Sequence, residues 1–335
     1  MLDLSAFNIN SKDKLQEFFD FYLNRTKSNP AKIKWQLSDQ NSFIGKIKYK
    51  IFTVKKENKI AGTAISFINP KLKETGQFGF LEFIEDIEIF KTLIRGIETF
   101  FKENDIKYYL GPINFSTWDN YRIKVDQFDI RPYLFEPTNP SYYAKFFEAE
   151  NFNVAKSYIT RELIHISETN AKLEKRYMQL KEQNITIEKF NLNNFEQEMP
   201  ILHTFVKQNF NTNFLYTDIE FNEFYQIYNS MKNIINPNLF LIARNKENKI
   251  VGFIFGMEDL LNKDQPCAIL KTLAVDEKYR NLGLGAALMF KIHQEVSKLG
   301  ITRIKHALMA EDNLSTHFSQ SNDTIFTYKL FGKKI

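Results

Sequence analysis

Seven residues, Arg280-Asn281-Leu282-Gly283-Leu284-Gly285-Ala286, set a cation and two glycines where a short apolar strand gives way to an amphipathic helix. Amides in a helix's first turn lack intrahelical acceptors, and the helix dipole adds partial positive charge beside them. Two positions without side chains let an oxyanion reach those amides. The pattern reads as a cradle for a pyrophosphate. It lacks the Gly-Lys-Ser/Thr of a P-loop and is one glycine short of the dinucleotide fingerprint. Glu258 and Asp259 are carboxylates at the end of the strand beside the one that feeds this turn, and a carboxylate can act as a base. His203 and His317 are further candidate bases, and neither has a metal-ligand partner at useful spacing, so no metal is expected.

The surrounding elements support the cradle. Leu284, Leu288, Ile292 and Val296 recur every fourth residue and form one apolar stripe, with Gly300 as the stop. Before the turn, Ala268–Val275 reads as a strand; after the helix, 301–308 reads as another. Further upstream come a strand at 185–190, helices at 194–209 (with Pro200 inside) and 221–232, and a hairpin of 238–244 with 250–256. A short helix at 313–319 and a strand at 324–331 close the chain. The polar stretch 168–184, with Leu173, Tyr177 and Leu180 at helical spacing, reads as an exposed linker helix. It divides the chain into domains at 1–167 and 185–335. The first domain repeats the order more faintly: a helix at 13–23, a hairpin of 49–54 with 59–67, a strand at 79–83, a helix at 86–101, a strand at 107–110, a helix at 141–148 and a strand at 155–166. At its strand-to-helix turn stand Glu85, Asp86 and Glu88 and no glycine. Those acids repel phosphate, so only the second domain is expected to bind the anion.

Composition fits this reading. The chain has 335 residues, 43% hydrophobic and 25% charged, which is ordinary for globular domains and long enough for two cores. The net charge of +5 is spread along the chain, and no basic cluster is long enough to argue for nucleic acid. The single cysteine, Cys267, excludes an internal disulfide and a cysteine-rich metal site. No apolar run approaches the roughly 20 residues of a membrane span, and the N-terminus lacks a secretory pattern. A cytoplasmic monomer or homodimer is expected.

The spacing Arg280-x-x-Gly283-x-Gly285-Ala286 after Leu273-x-Val275 resembles the acetyl-CoA loop of the GNAT superfamily of N-acetyltransferases, and the element order over about 150 residues is similar to that fold. Gly111-Pro-Ile-Asn114-Phe-Ser116-Thr and Pro137-Thr-Asn-Pro-Ser-Tyr-Tyr143 resemble an uncharacterised bacterial family of tandem GNAT-like proteins. The match departs at Trp118–Arg122 and in a shortened loop after Asp259. The resemblance implies an α/β (α+β) chain of two tandem acyl-CoA N-acyltransferase-like domains, each a mixed, mostly antiparallel sheet flanked by helices. It implies acetyl-CoA or another acyl-CoA, held by main-chain groups of Leu273, Ala274 and Val275, by the 280–286 turn and by Asn313. It also favours Asp259 over Glu258 as the base. A Tyr seven residues after the Asn usually supplies the acid; Gln320 stands there, and Tyr328 is a weak substitute. Asn114, Ser116 and Trp118, which follow a strand end, are expected with Asn213 and Tyr216 to line an acceptor cleft between the halves. The expected activity is acyl transfer to the amine of a small molecule or peptide. Two alternatives stand beside it: a CoA-binding sensor or scaffold without catalysis, and aminoacyl transfer of the peptidoglycan-building tandem type.

Overall fold

The computed structural model describes residues 2–26, 28–72, 74–164, 166–181, 184–313, 316 and 324–335. Its elements, in chain order, begin with β1 (Leu2–Phe7), α1 (Lys12–Arg25), α2 (Pro30–Gln36), β2 (Lys48–Lys56), β3 (Lys59–Ile68), β4 (Gly76–Phe83), α3 (Ile87–Lys102), β5 (Tyr108–Gly111), β6 (Ile123–Lys124), α4 (Tyr142–Ala149) and β7 (Asn153–Leu163). They continue with α5 (Ile166–Lys181), β8 (Thr186–Lys189), α6 (Phe195–Phe210), α7 (Phe221–Met231), β9 (Phe240–Arg244), β10 (Ile250–Glu258), β11 (Cys267–Val275), α8 (Leu284–Lys298), β12 (Arg303–Ala310) and β13 (Thr324–Lys334). The chain folds into two compact units, neither continuous in sequence: Met1–Asp126 with Pro137–Ser157 and Tyr328–Ile335, and Gln127–Glu136 with Tyr158–Thr327.

In the first unit the strands run β1-β2-β3-β4-β5-β13, antiparallel except for β4 beside β5. Glu57 and Asn58 close the β2–β3 hairpin with φ of 52° and 62°, the two left-handed residues a tight primed turn needs. Helix α3 buries Ile89, Phe90, Leu93, Ile94, Ile97 and Phe101 in a core shared with Phe83 and Phe147. Phe83 stacks on Tyr143 with centroids 4.1 Å apart. The last strand of this unit, Tyr328–Lys334, comes from the end of the chain and pairs with β5 and β6. The sequence reading did not anticipate β1 or α2, and it assigned the closing strand to the second domain.

In the second unit the order is β7-β12-β11-β10-β9-β8, antiparallel except for β11 beside β12. Here the strand beside β12 is Tyr158–Leu163, drawn from the middle of the chain. All four stripe residues of α8, Leu284, Leu288, Ile292 and Val296, are fully buried. Each such side chain contributes on the order of 1.5–3 kcal/mol by leaving water. Gly300, at φ 73°, ends that helix as expected. Helix α5, expected as an exposed connector, instead packs Leu173, Tyr177 and Leu180 into the same core, with Tyr177 and Phe290 at 5.2 Å. Pro200 sits in the second turn of α6 without ending it.

Candidate functional site

Strand β11 pairs with β12 only from Cys267 to Leu270, opposite Arg303 to His306. Beyond that point the described strands part. Two irregularities cause the divergence. On β11, Phe255 faces Thr272 while Gly256 faces Leu270, so Lys271 is an extra residue that bends the strand. On β12, the register with β7 slips between His306 and Met309, and Leu308 adopts φ 58°. Thr272–Val275 stay paired with β10 on one side. Their backbone groups facing the other side have no strand partner among the described residues. An edge of this kind offers N–H and C=O groups to an extended ligand.

The strand runs directly into the glycine turn. Asp276 donates its own N–H to Val251 O at 2.9 Å, and its side chain accepts from Lys278 N. Residues 277–282 form a tight helical turn, and Gly283 takes φ 85° before α8 begins at Leu284. Only glycine adopts that conformation without strain. Arg280 is exposed and its Nε holds Val275 O at 3.2 Å, tying the turn back to the strand end. Asn281 and Leu282 are exposed, Gly285 and Ala286 half-buried. Arg176, which the sequence reading missed, lays its side-chain stem against Gly283: its Cβ, Cγ and Cδ would lie 3.6–4.0 Å from a Cβ built there.

The expected carboxylates lie farther along. Glu258 is in register with Ala268, three residues before the bulge, or about 10 Å of strand. It is half-buried, and one carboxylate oxygen accepts from Asn236 Nδ2 at 2.8 Å. Asp259 is only 4% exposed and accepts from Leu134 N, Leu261 N and Asn262 Nδ2, at 3.1, 3.3 and 2.7 Å. It thereby fastens the 127–136 segment to the loop that follows β10. Around it, Asn262 Nδ2 also reaches Pro132 O, and Arg131 pairs with Asp264. His203 is packed between α6 and α7, with Nε2 2.8 Å from Ile219 O. Tyr328 is a fully buried strand residue of the first unit. Asn313 is exposed, with its carbonyl accepting from Thr316 N and Oγ1. His317, Gln320 and most of the expected 313–319 helix lie outside the described residues. Asn213 turns the chain after α6, its carbonyl accepting from Tyr216 N; burial, with Asp218 nearby, pushes the Tyr216 hydroxyl up to about 12.

The first unit shows the matching place in another state. Parallel pairing of β4 with β5 also stops early, at Gln77 opposite Leu110. The gap is closed by the chain's own next residues: Ile113 N donates to Phe78 O at 2.8 Å, and Phe80 N donates to Asn114 Oδ1 at 2.6 Å. The approach is so close that a Cβ on Gly79 would stand 1.9 Å from Ile113 O, and one on Gly111 would stand 2.3 Å from Phe78 O. Asn114 also donates to Tyr22 Oη. Ser116, within the same loop, bonds Asp119 and the Trp118 N–H. At the head of α3, Asp86 accepts from Glu88 N and pairs with Lys56 at 2.8 Å. That helix start already carries an anion of its own.

Residues 202–318 match the model of the acetyltransferase (GNAT) family. The matched segment lies within the second unit. The whole chain superposes on a probable N-acyltransferase from Enterococcus faecalis (TM-score 0.57, 8% identity, covering all of this chain and 73% of that one). It also superposes on a GCN5-related N-acetyltransferase from Anabaena variabilis (0.54, 10%, 99% and 73%) and on a fungal protein with a glucosamine N-acetyltransferase region (0.55, 13%, 99% and 38%). Protein YghO of Escherichia coli K12 is 21% identical over 229 residues, 67% of this chain and 58% of that protein. The chain thus spans less than two thirds of YghO and of the fungal protein. The fold is a mixed α/β tandem of GNAT-like units, each a mostly antiparallel sheet flanked by helices. Among the described residues no helix is long and apolar enough to cross a membrane.

Proposed function

We propose that the second unit binds acetyl-CoA or another acyl-CoA and transfers the acyl group to an amine. The observation that carries this reading is the parting of β11 from β12 immediately before a left-handed glycine turn. The residues present fit such a group: an unpaired strand edge for an extended amide arm, and side-chain-free amides at a helix start for a pyrophosphate. Acyl-CoA supplies an activated thioester when bound. The chain's part is to position and polarise. Backbone groups of Leu273, Ala274 and Val275 align the arm, and the amides of 283–286 hold the phosphates, with Arg280 bracing the turn and Asn313 as a further cofactor contact. An edge N–H near the bulge donates to the thioester carbonyl oxygen in this reading. Glu258 takes up the proton an amine must lose through intervening water, being about 10 Å of strand from the bulge, and Asp259 serves as its structural neighbour. The acceptor is a small-molecule or peptide amine.

Titration calorimetry with acetyl-CoA, followed by thiol release over a panel of amines, tests the reading. Micromolar binding and amine-dependent release support it. Binding without release for any amine leaves a CoA-binding scaffold, which Gln320 at the usual acid position favours. Absence of binding removes the CoA reading and leaves aminoacyl transfer.

A further inference from the structure

Helix α5 lies outside the segment that matches the family, which begins at residue 202. Yet it brings a cation to the Gly283 turn. Leu173, Tyr177 and Leu180 anchor α5 on α8, and this fixes the azimuth of the residue between them. Arg176 therefore points along the edge of the contact, and its Cβ, Cγ and Cδ cross the Cα face of Gly283. The stem packs on the glycine, while Arg176 as a residue is exposed and, among the described residues, its guanidinium bonds Gln179 Oε1 at a long 3.4 Å. No acid stands three or four positions away on α5: Leu173, Gln179 and Leu180 occupy three of those places and Lys172 the fourth. A guanidinium whose stem packs on Gly283, with no carboxylate at those spacings and close to the first amides of α8, has the chemistry of a phosphate ligand.

We propose that Arg176 is a positioning residue for the acyl donor and makes a charge-assisted contact to its phosphate groups. The proposal rests on the CoA reading above. It adds a specificity element: donors that carry a nucleotide diphosphate gain from Arg176, while donors that end at pantetheine do not.

Calorimetry on the full chain tests this with acetyl-CoA and with S-acetylpantetheine as probes. Arg176→Gln keeps most of the stem that packs on Gly283 and removes the charge; Arg176→Lys keeps a charge without the fork. The expected result is a loss of about tenfold or more in acetyl-CoA affinity for Arg176→Gln, partial recovery for Arg176→Lys, and no change for either with S-acetylpantetheine. The acetyl-CoA loss should also shrink as salt is raised. Circular dichroism melting checks that the exposed substitution leaves the fold intact. Acetyl-CoA binding to Arg176→Gln at wild-type affinity overturns the proposal and leaves the CoA reading standing. An equal loss with both probes overturns it too, because the effect is then on loop packing rather than on phosphate. If the wild-type chain binds no acetyl-CoA, the CoA reading fails first and this inference with it.

Discussion

At the scale of single residues, Gly283 bears two demands at once. Its φ of 85° is one that side chains resist, and its bare Cα face receives the Arg176 stem. A Cβ there would meet ordinary contacts at 3.6 Å, so conformation rather than crowding sets the cost. Gly283→Ala should lower stability by about 1–2 kcal/mol and abolish acetyl-CoA binding, seen as a lower melting temperature and a flat calorimetric trace; an unchanged titration would break the link between turn and ligand. A second residue-scale prediction concerns His293 and His306, fully buried with ring centroids 5.7 Å apart. Burial drives His293 down to about 3, with His306 adding to it, and His306 down to about 4, with Arg161 adding to it. Both must stay neutral in the folded chain, whereas in the unfolded chain they take up protons below about 6.5. The unfolded state therefore binds more protons on acidification, and the contribution present above pH 6.5 is lost as pH falls towards 4. Amide exchange in α8 and β12 should accelerate between pH 7 and pH 5 after correction for intrinsic rates. His306→Leu should remove part of that acceleration, and an identical pH response in the variant would show that His306 carries none of it.

At the scale of elements, the two units differ in what fills one gap. Strands β4 and β5 part as β11 and β12 do, but the 112–114 segment re-pairs the free edge of β4. Asn114 supplies the acceptor that Phe80 N would otherwise lack. Asn114→Ala leaves that buried N–H unpaired, at a cost of about 1–3 kcal/mol. The melting of the first unit should fall while acetyl-CoA affinity stays at its wild-type value; a drop in affinity would assign the loop to the ligand site instead. This explains what the sequence did and did not disclose. The α8 stripe, the hairpins and the glycine turn were legible because periodicity and turn chemistry are local. The Gly111-Pro112-Ile-Asn114 pattern stood out, but its role was expected to be acceptor binding. Only the crossing of Gly79 over Ile113 shows that the loop packs against β4. The surroundings of the Asp259 carboxylate were hidden for a similar reason. Its three donors come from residues 134, 261 and 262, and the first is over a hundred positions away. Arg176 carried no sequence signal, since an exposed arginine on a polar helix looks like solvation.

At the scale of the whole molecule, duplication of the fold does not duplicate the site. The first unit closes its strand gap with its own backbone, and the head of α3 is occupied by Asp86, with Glu85 and Glu88 alongside. In the second unit Gly283 stands at the helix head, and among the described residues no strand closes the gap. The chain should therefore bind one acetyl-CoA, with a calorimetric stoichiometry near one; two equivalents would mean that the plug formed by residues 112–114 opens. The units also take strands from distant parts of the chain, since Tyr328–Lys334 completes the first and Tyr158–Leu163 serves the second. Ending the chain after Thr327 removes the strand paired with β5 and β6, along with buried Tyr328, Leu330 and Phe331. Three buried side chains of that size are worth several kcal/mol, at roughly 1.5–3 kcal/mol each, enough to unfold a marginal domain. The truncated chain should lose the cooperative melting of the first unit even though residues 1–157 are all present. Limited proteolysis would read this directly, with early cuts expected between residues 2 and 126. A truncated chain whose first unit resists protease as the full chain does would show that the borrowed strand is dispensable.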